Sequence, residues 1–579
     1  MKAQFRFVDS AWSLAGMIAV LAILFSGVSA QGADLPSPRN PYGSEANGIN
    51  IVDNWINNGR QSSLLTGSTT TPSDYGSWMI CNDLELCDVQ SLVWLQGNLL
   101  LPNCGSEISR NCVAGVAVER EGVWMSAYSL GQAAGPTVEA QPELGLPQGS
   151  SVGKWKVDAT AEWGETLIAT HIDMDVNFDF GSSQFRATSI TSTVVPYQVK
   201  AGSFRPIENL LTEGPGGKTR VSVVAPPAEC VWVDRTNCGE MQEFGSIESV
   251  ALTVRIPSSL GGWLMGRVTG PTVSQRDLGD GYSEVEVSGS PTEVPKIFLA
   301  VRSPIGDAET QEAFPNYPSD ANIVNMKATS PDTARVIGIY RNLARDRSIG
   351  NYKSWNFSSM SSLDSCSRSN EGFLGFVSTN ASVYQGRPPS YESGYFNYSV
   401  AGYHFGPDGS TPNIGTYDLI IRSDYARCLY GFSKAPLSAT VSVVGEMGEE
   451  KVATTVVSER DGWLKLAAYG FTFSEKEIQV QLRQSQIKTL SNFTSNSLYS
   501  KQKAEIRAVL AKSDGNTKFI CTGIRYFQQP MSENIKVRAR AKAACEYAKS
   551  INPDFSYWYQ TKTTTARSYN GKVMVVSKG

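Results

Sequence analysis

The sequence predicts a mainly β protein, a set of tandem sandwich-like domains followed by a C-terminal α+β domain of β-α-β-α-β-β order. Three observations carry this expectation. Between Ile51 and about Ser485, short runs alternate apolar and polar residues and stop at Gly or Pro, as half-buried antiparallel strands do. After about Leu490 the texture changes to helical periodicity interleaved with strands. The ten cysteines fall in pairs along the chain, and their spacing suits disulfides better than metal ligands.

A chain of 579 residues is too long for one core and should divide into several units of domain size. A hydrophobic fraction of 41% and a charged fraction of 18% are globular values. The net charge of -4 offers no concentrated positive surface, so no nucleic-acid partner is expected. Only two histidines occur, His171 and His404, which leaves little material for zinc sites or for Ser-His and Cys-His catalysis. No nucleophile elbow, phosphate loop or dinucleotide fingerprint is found in a strand-turn-helix setting. A non-catalytic protein without metal or cofactor is therefore the expectation.

Residues 1–30 have the layout of a secretory signal peptide. Lys2 and Arg6 precede the apolar run "LAGMIAVLAILF", and "SGVSA" supplies small residues for a cut after about Ala30. The apolar run is shorter than the ~20 residues a spanning helix needs, and no later segment is long enough to span a bilayer. An extracellular or cell-wall-associated location follows. Residues 31–50, rich in Pro, Gly, Ser and Asn, read as a flexible leader.

Three β regions come next: a disulfide-containing domain over 51–225, a sandwich-like domain over 226–328, and a helix with a sandwich-like domain over 329–485. The alternating runs "VSVVAP", "VALTVRIP", "YSEVEVSGSP" and "LSATVSVVG" are their clearest strands. "SPDTARVIGIYRNLAR" is the helical exception, with Ser330 as N-cap, Pro331 at the first helical position and Ala334, Ile337, Tyr340 and Leu343 at helical spacing. "GWLMGRVTGPTVS" and "GWLKLAAYGFTFS" share spaced residues, and "EREGVW" and "ERDGWL" share an approach to tryptophan. Together they predict a repeated β unit with Trp263 and Trp463 at one structural point.

An even cysteine count in an exported chain points to disulfides. Pairing by nearest neighbour gives Cys81 with Cys87, Cys104 with Cys112, Cys230 with Cys238, Cys366 with Cys428 and Cys521 with Cys545. Spacing alone leaves that connectivity open. For the last pair, strand alternation and the helix's apolar face would let Cys521 and Cys545 meet across a sheet-helix interface.

Two polar motifs invite a chemical reading. "THIDMDVNFDF" places His171, Asp173, Asp175, Asn177 and Asp179 on one side of a strand, a row that suits either a wet face or oxygen ligands for a cation; the wet face is the simpler account. "DLGDG", from Asp277 to Gly281, resembles part of a calcium loop but fits a tight hairpin turn better. A secreted carbohydrate-binding protein or glycoside-active enzyme is the alternative function, with Trp263, Trp463, Asp173 and Asp175 as its candidate residues.

In residues 490–579, "SKQKAEIRAVLAKSDG" reads as a helix capped by Ser500, "TKFICTG" as a strand, and Ile535 to Ser550 as a second helix with Val537, Ala541, Ala544, Cys545 and Ala548 on its buried face. "FSYWYQTKTTT" and "GKVMVV" finish as strands. This order, with "CTG" after the middle strand and "RAKAACEYAKSINP" in the second helix, resembles the OmpA-like peptidoglycan-associated domain. Thr522 matches the threonine of that family's His-Thr-Asp loop, and Arg540, Ala541 and Tyr547 match its helix. Gly523 stands where the family has its ligand aspartate. The resemblance implies a ligand site at Thr522, Gly523 and Arg540, where Arg540 pairs a carboxylate of the wall peptide and the ammonium has lost its partner, hence weak contact with peptidoglycan, with another cell-surface component as the alternative partner. Elsewhere "ARCLYGFSKAPLSATVSV" and "SERDGWLKLAAYGFTFS" resemble large secreted β-rich actinobacterial proteins of unknown function.

Overall fold

The structure, a computed structural model, describes residues 47–53, 62–70, 78–214, 218–224, 227, 229–301, 323–342, 344–361, 364–367, 372–392, 395–430, 437–445, 448–451, 454–473, 476–484, 486–511 and 518–578. The signal peptide and most of the predicted leader lie outside these residues. The leader's last four residues do not fit that expectation: they belong to the strand Asn47–Val52, paired antiparallel with Phe298–Val301. "NGINIV" alternates well enough to pair once a partner strand is supplied.

Two compact units divide the chain. One takes in residues 1–50 and 298–325, where that strand pair lies; the other takes in 51–297 and 326–579.

The second unit is mainly β, as expected, and ends in an α+β module. Its strands are long. Gln184–Ala201 and Gly262–Gly279 each run 18 residues, so one strand can take different partners at its two ends. The first half of Gly262–Gly279 pairs antiparallel with Asn356–Met360 and parallel with Phe373–Thr379, and its second half pairs with Tyr282–Lys296. The change of partner falls at an irregularity between Thr269 and Thr272.

Such pairings bridge the boundaries expected near 225 and 328. Ser249–Pro257 pairs with Cys112–Arg120, and Asn356–Met360 pairs with Gln184–Ala201. One apolar core accordingly draws Leu65, Val116, Ile172, Leu252, Leu264, Phe357, Phe376 and Ile420 together. The helix Pro331–Tyr340 starts as its sequence indicates, with Ser330 at the N-cap position.

Tight turns account for much of the internal echo. Glu121-Gly122 and Asp461-Gly462 both join antiparallel strands through two residues with positive φ, 49° and 76° in the first, 49° and 82° in the second. That is the turn whose twist matches the flanking strands, and glycine takes its second position without strain. Asp280-Gly281 in "DLGDG" is a third such turn, with φ of 50° and 76°. Trp263 and Trp463 are not equivalent, however. Trp463 follows one of these turns and is half-buried, whereas Trp263 is 1% exposed and packs edge-on against Phe396 and Tyr425.

All five nearest-neighbour disulfides form, and no described cysteine is free. Four close short stretches within or beside one hairpin or one strand-helix pair; Cys366–Cys428 closes 62 residues.

Deep in the β body, Arg267 is wholly buried on the Gly262–Gly279 strand. Its Nε donates to Asp53 Oδ2 at 2.5 Å and its Nη1 donates to the carbonyls of Thr379 and Ala381 at 2.7 and 2.6 Å. The Tyr384 ring lies 4.2 Å from the guanidinium carbon. Burial is the largest influence on this guanidinium and opposes its charge, yet the Asp53 carboxylate, with Tyr384 and Tyr352, leaves its pKa raised. Arg267→Met should cost about 3–5 kcal/mol, because a carboxylate is then stranded in the core. Adding Asp53→Asn to that variant should recover part of the loss. Urea unfolding of the β body measures both, and an Arg267→Met protein within ~1 kcal/mol of wild type would overturn the assignment.

Candidate functional site

The C-terminal module has the expected element order: Gln486–Leu490, helix Ser500–Leu510, strand Lys518–Tyr526, helix Met531–Ile551, then strands Ser556–Thr564 and Val573–Lys578. Lys518–Tyr526 is central, parallel to Ser556–Thr564 and antiparallel to Val573–Lys578, which in turn pairs with Gln486–Leu490. Tyr499, not Ser500, occupies the N-cap of the first helix, and its N–H donates to the Gln502 side chain at 2.9 Å. The second helix starts four residues earlier than expected, at Met531 just after Pro530. Cys521 and Cys545 bridge the sheet to this helix inside the module's core.

The three residues of the predicted ligand site are not arranged as a site on a loop. Thr522 and Gly523 lie within the central strand, so "CTG" does not follow it. Thr522 is 1% exposed, and its Oγ1 accepts from Gln560 Nε2 of the neighbouring strand at 3.2 Å. Gly523 does not have a positive φ. A Cβ there would stand 2.1 Å from the Val537 carbonyl oxygen of the helix above. The residue is glycine because helix and sheet touch backbone to backbone.

Arg540 is 9% exposed. Its Nε donates to Ser495 O at 3.2 Å, its Nη1 donates to Gly571 O at 2.9 Å, and Glu533 Oε1 stands 3.9 Å away. The guanidinium also covers the Phe493 ring at 5.3 Å. Arg540 therefore ties two loops to the helix, and Nη2 is the part of its fork with no hydrogen bond among the described residues.

The acidic strand is not one wet face. His171 and Asp173 are 1% and 2% exposed, since strand Thr166–Asp179 is covered on both sides at that point. Asp175 accepts from Asn98 and from Ser189. Asp179 holds the following turn through Ser182 and Gly181 and pairs with Arg186 at 2.9 Å; the Ser182 hydroxyl and the Gly181 N–H keep its pKa below the ordinary value. Among the described residues, no three acidic, histidine or cysteine side chains converge as metal ligands.

Asp418, which the sequence did not single out, is 2% exposed on strand Ile414–Arg422. It accepts from Gly270 N at 3.1 Å and Tyr469 Oη at 2.8 Å, so it fastens the point where the Gly262–Gly279 strand changes partner. Burial raises its pKa, against the lowering effect of those hydrogen bonds and Lys465. A cavity of about 560 Å³ has Glu293, Asn351, Asn380, Asp408 and Asn413 in its wall. Its amides are engaged by the protein: Asn413 Nδ2 donates to Tyr403 O and Phe405 O, Asn380 Nδ2 to Ile414 O, and Asn351 Nδ2 to Glu293 Oε1. Asp408 accepts from Ser410 N, Thr411 N and Thr411 Oγ1 in its own turn.

A different surface is open. On strand Val123–Gln132, Trp124 and Tyr128 are 46% and 45% exposed and share one face, while Met125 and Ala127 pack into the core; Leu130, 42% exposed, follows in an irregularity between Ser129 and Gln132. The signal was present in "VWMSAYSLGQ", where large residues recur at even spacing without small ones to bury them. Comparison with known proteins found no matching family model, no matching curated protein and no matching solved structure.

Two outcomes follow from this geometry. Gly523→Ala should destabilise the C-terminal module by about 3 kcal/mol, and Gly523→Asp by at least as much, because the clash is with backbone. Thermal unfolding and limited proteolysis of the module read this out; a Gly523→Asp protein of wild-type stability would disprove the contact. For Asp418, the native pKa lies above the ordinary 3.8, so the native state holds more protons than the unfolded one in that window. Stability from this group therefore falls as pH rises from about 4 to the raised native pKa. Asp418→Asn should remove that slope in urea unfolding measured across pH, and an unchanged slope would refute it.

Proposed function

We propose that this chain is an exported, non-catalytic protein of the cell surface or envelope, whose β body is a rigid binding and display scaffold. The observation that carries this reading is the disulfide set: all ten cysteines are joined in five bonds, which persist in oxidising compartments and are rare in reducing ones. Support for a non-catalytic body comes from the two histidines, both built into structure. His171 is buried, and His404 Nδ1 stands 3.2 Å from Phe473 O. No helix among the described residues is long and apolar enough to cross a membrane.

In this reading the C-terminal module is an OmpA-like unit that touches peptidoglycan weakly. Of its three candidate residues only Arg540 keeps a donor for a wall-peptide carboxylate, so the contact is a single point and not a clasp.

The test uses the full chain expressed with its N-terminal segment. Thiol labelling of the unreduced, denatured protein should find no reactive cysteine. The protein should partly sediment with purified peptidoglycan, less so as Arg540→Lys, which keeps charge but loses the fork. Free thiols in protein recovered from the producing cells would sink the export reading. Absence of sedimentation by the wild type would remove the wall contact.

A further inference from the structure

We infer that the outer face of the five-stranded sheet centred on Ser249–Pro257 is a binding surface for an uncharged linear polysaccharide. The sheet runs Val123–Gln132, Cys112–Arg120, Ser249–Pro257, Tyr282–Lys296, then the distal half of Gly262–Gly279. Its inner face is the core, with Val118, Val250, Leu252, Val285 and Val287 at 3% exposure or less.

The outer face has an unusual relief. One cross-strand row reads Ser126, Ala117, Ala251, Ser288, Thr272, each paired in register with the next. Five strands at their usual spacing make this row roughly 19 Å long. No long side chain interrupts it. At its end on strand Val123–Gln132, Trp124 and Tyr128 stand two residues to either side of Ser126, about 7 Å away along the strand. The result is a shallow trough floored by small and hydroxyl-bearing side chains, with a large aromatic ring at each side of one end.

Charge chooses the occupant. The cations on this face are paired: Arg255 and Arg276 share Glu284, at 3.0 and 2.6 Å, and Lys156 beside Tyr128 binds Glu165. Glu286, opposite Thr253, offsets the second of those arginines, and Glu119, opposite Trp124, leaves the face negative, so the trough offers nothing to an anionic chain. An extended peptide adds along a sheet edge through its backbone, whereas this row runs across the sheet, whose three inner strands are paired on both sides. A second copy packing face to face would need an interdigitating apolar surface, and four of the five strands show small or polar groups. A neutral glycan fits: each pyranose has a C–H face that stacks on an aromatic ring and a rim of hydroxyls for the serines and threonines of the floor.

This inference deepens the binding-scaffold reading but concerns the β body alone, so it is separable from export and from the wall contact. The test is affinity electrophoresis and calorimetry of the full chain with neutral polysaccharides and their hexasaccharides: β-1,4-glucan, xylan, mannan and chitin oligomers. At least one should bind. Trp124→Ala and Tyr128→Ala should each weaken it by about tenfold, the order expected for a lost aromatic stacking contact. Ala251→Lys, which places a long side chain across the trough, should abolish it, with melting temperature as the check on folding. Failure of every neutral glycan to bind the wild type, or binding indifferent to all three substitutions, overturns the inference. Self-association lost in Trp124→Ala would overturn it in favour of a second copy, and preference for an anionic glycan would do so as well.

Discussion

The β body depends on a charge that has to be sheltered. Arg267 is fully buried, and its guanidinium is satisfied only when Asp53, the 379–381 carbonyls and the Tyr384 ring all reach it. Those groups come from segments more than a hundred residues apart, and any one of them alone would leave a costly ion in a low-dielectric interior. The pair therefore acts as a condition on assembly: regions that look separable by length and punctuation must close together. Asp418 adds a second fastening by taking the Gly270 N–H where the Gly262–Gly279 strand leaves one set of partners for another.

What could be read from the sequence was mostly local. The two-residue turn at Asp280-Gly281, strand alternation, and the β-α-β-α-β-β order all follow from residues close in sequence. Cysteine pairing was legible for the same reason, since neighbours in sequence proved to be neighbours in space. The pairing of Ser249–Pro257 with Cys112–Arg120 was not legible, because alternation marks two faces of a strand without naming its neighbour. The same limit hid the burial of His171 and Asp173: alternation separates them from Ile172 and Met174 but does not say that both faces are covered. Gly523 shows the opposite problem. A glycine aligned against a family's aspartate suggests a lost ligand, whereas its neighbour across 2.1 Å of hypothetical Cβ is a helix backbone.

Polar side chains in this protein mostly hold the chain itself. Arg540 binds two loop carbonyls, Asn413 two more, and Asp408 closes its own turn. Groups that a sequence search would collect as a site are thereby spent on irregular segments, whose unpaired backbone needs partners. Trp124 and Tyr128, by contrast, stand exposed and hold no part of the chain's core.

The spacing of the disulfides bears on how such a chain can be made. Three bonds join cysteines 6 or 8 residues apart, and a fourth joins cysteines 24 apart. In a chain threaded through a membrane N-terminus first, each of the first three pairs is complete before the next cysteine has arrived. An oxidant meeting the nascent polypeptide then has one partner to choose at each of those steps. Correct bonding becomes a matter of timing more than of proofreading, and the 62-residue span to Cys428 is the interval in which Cys366 must wait.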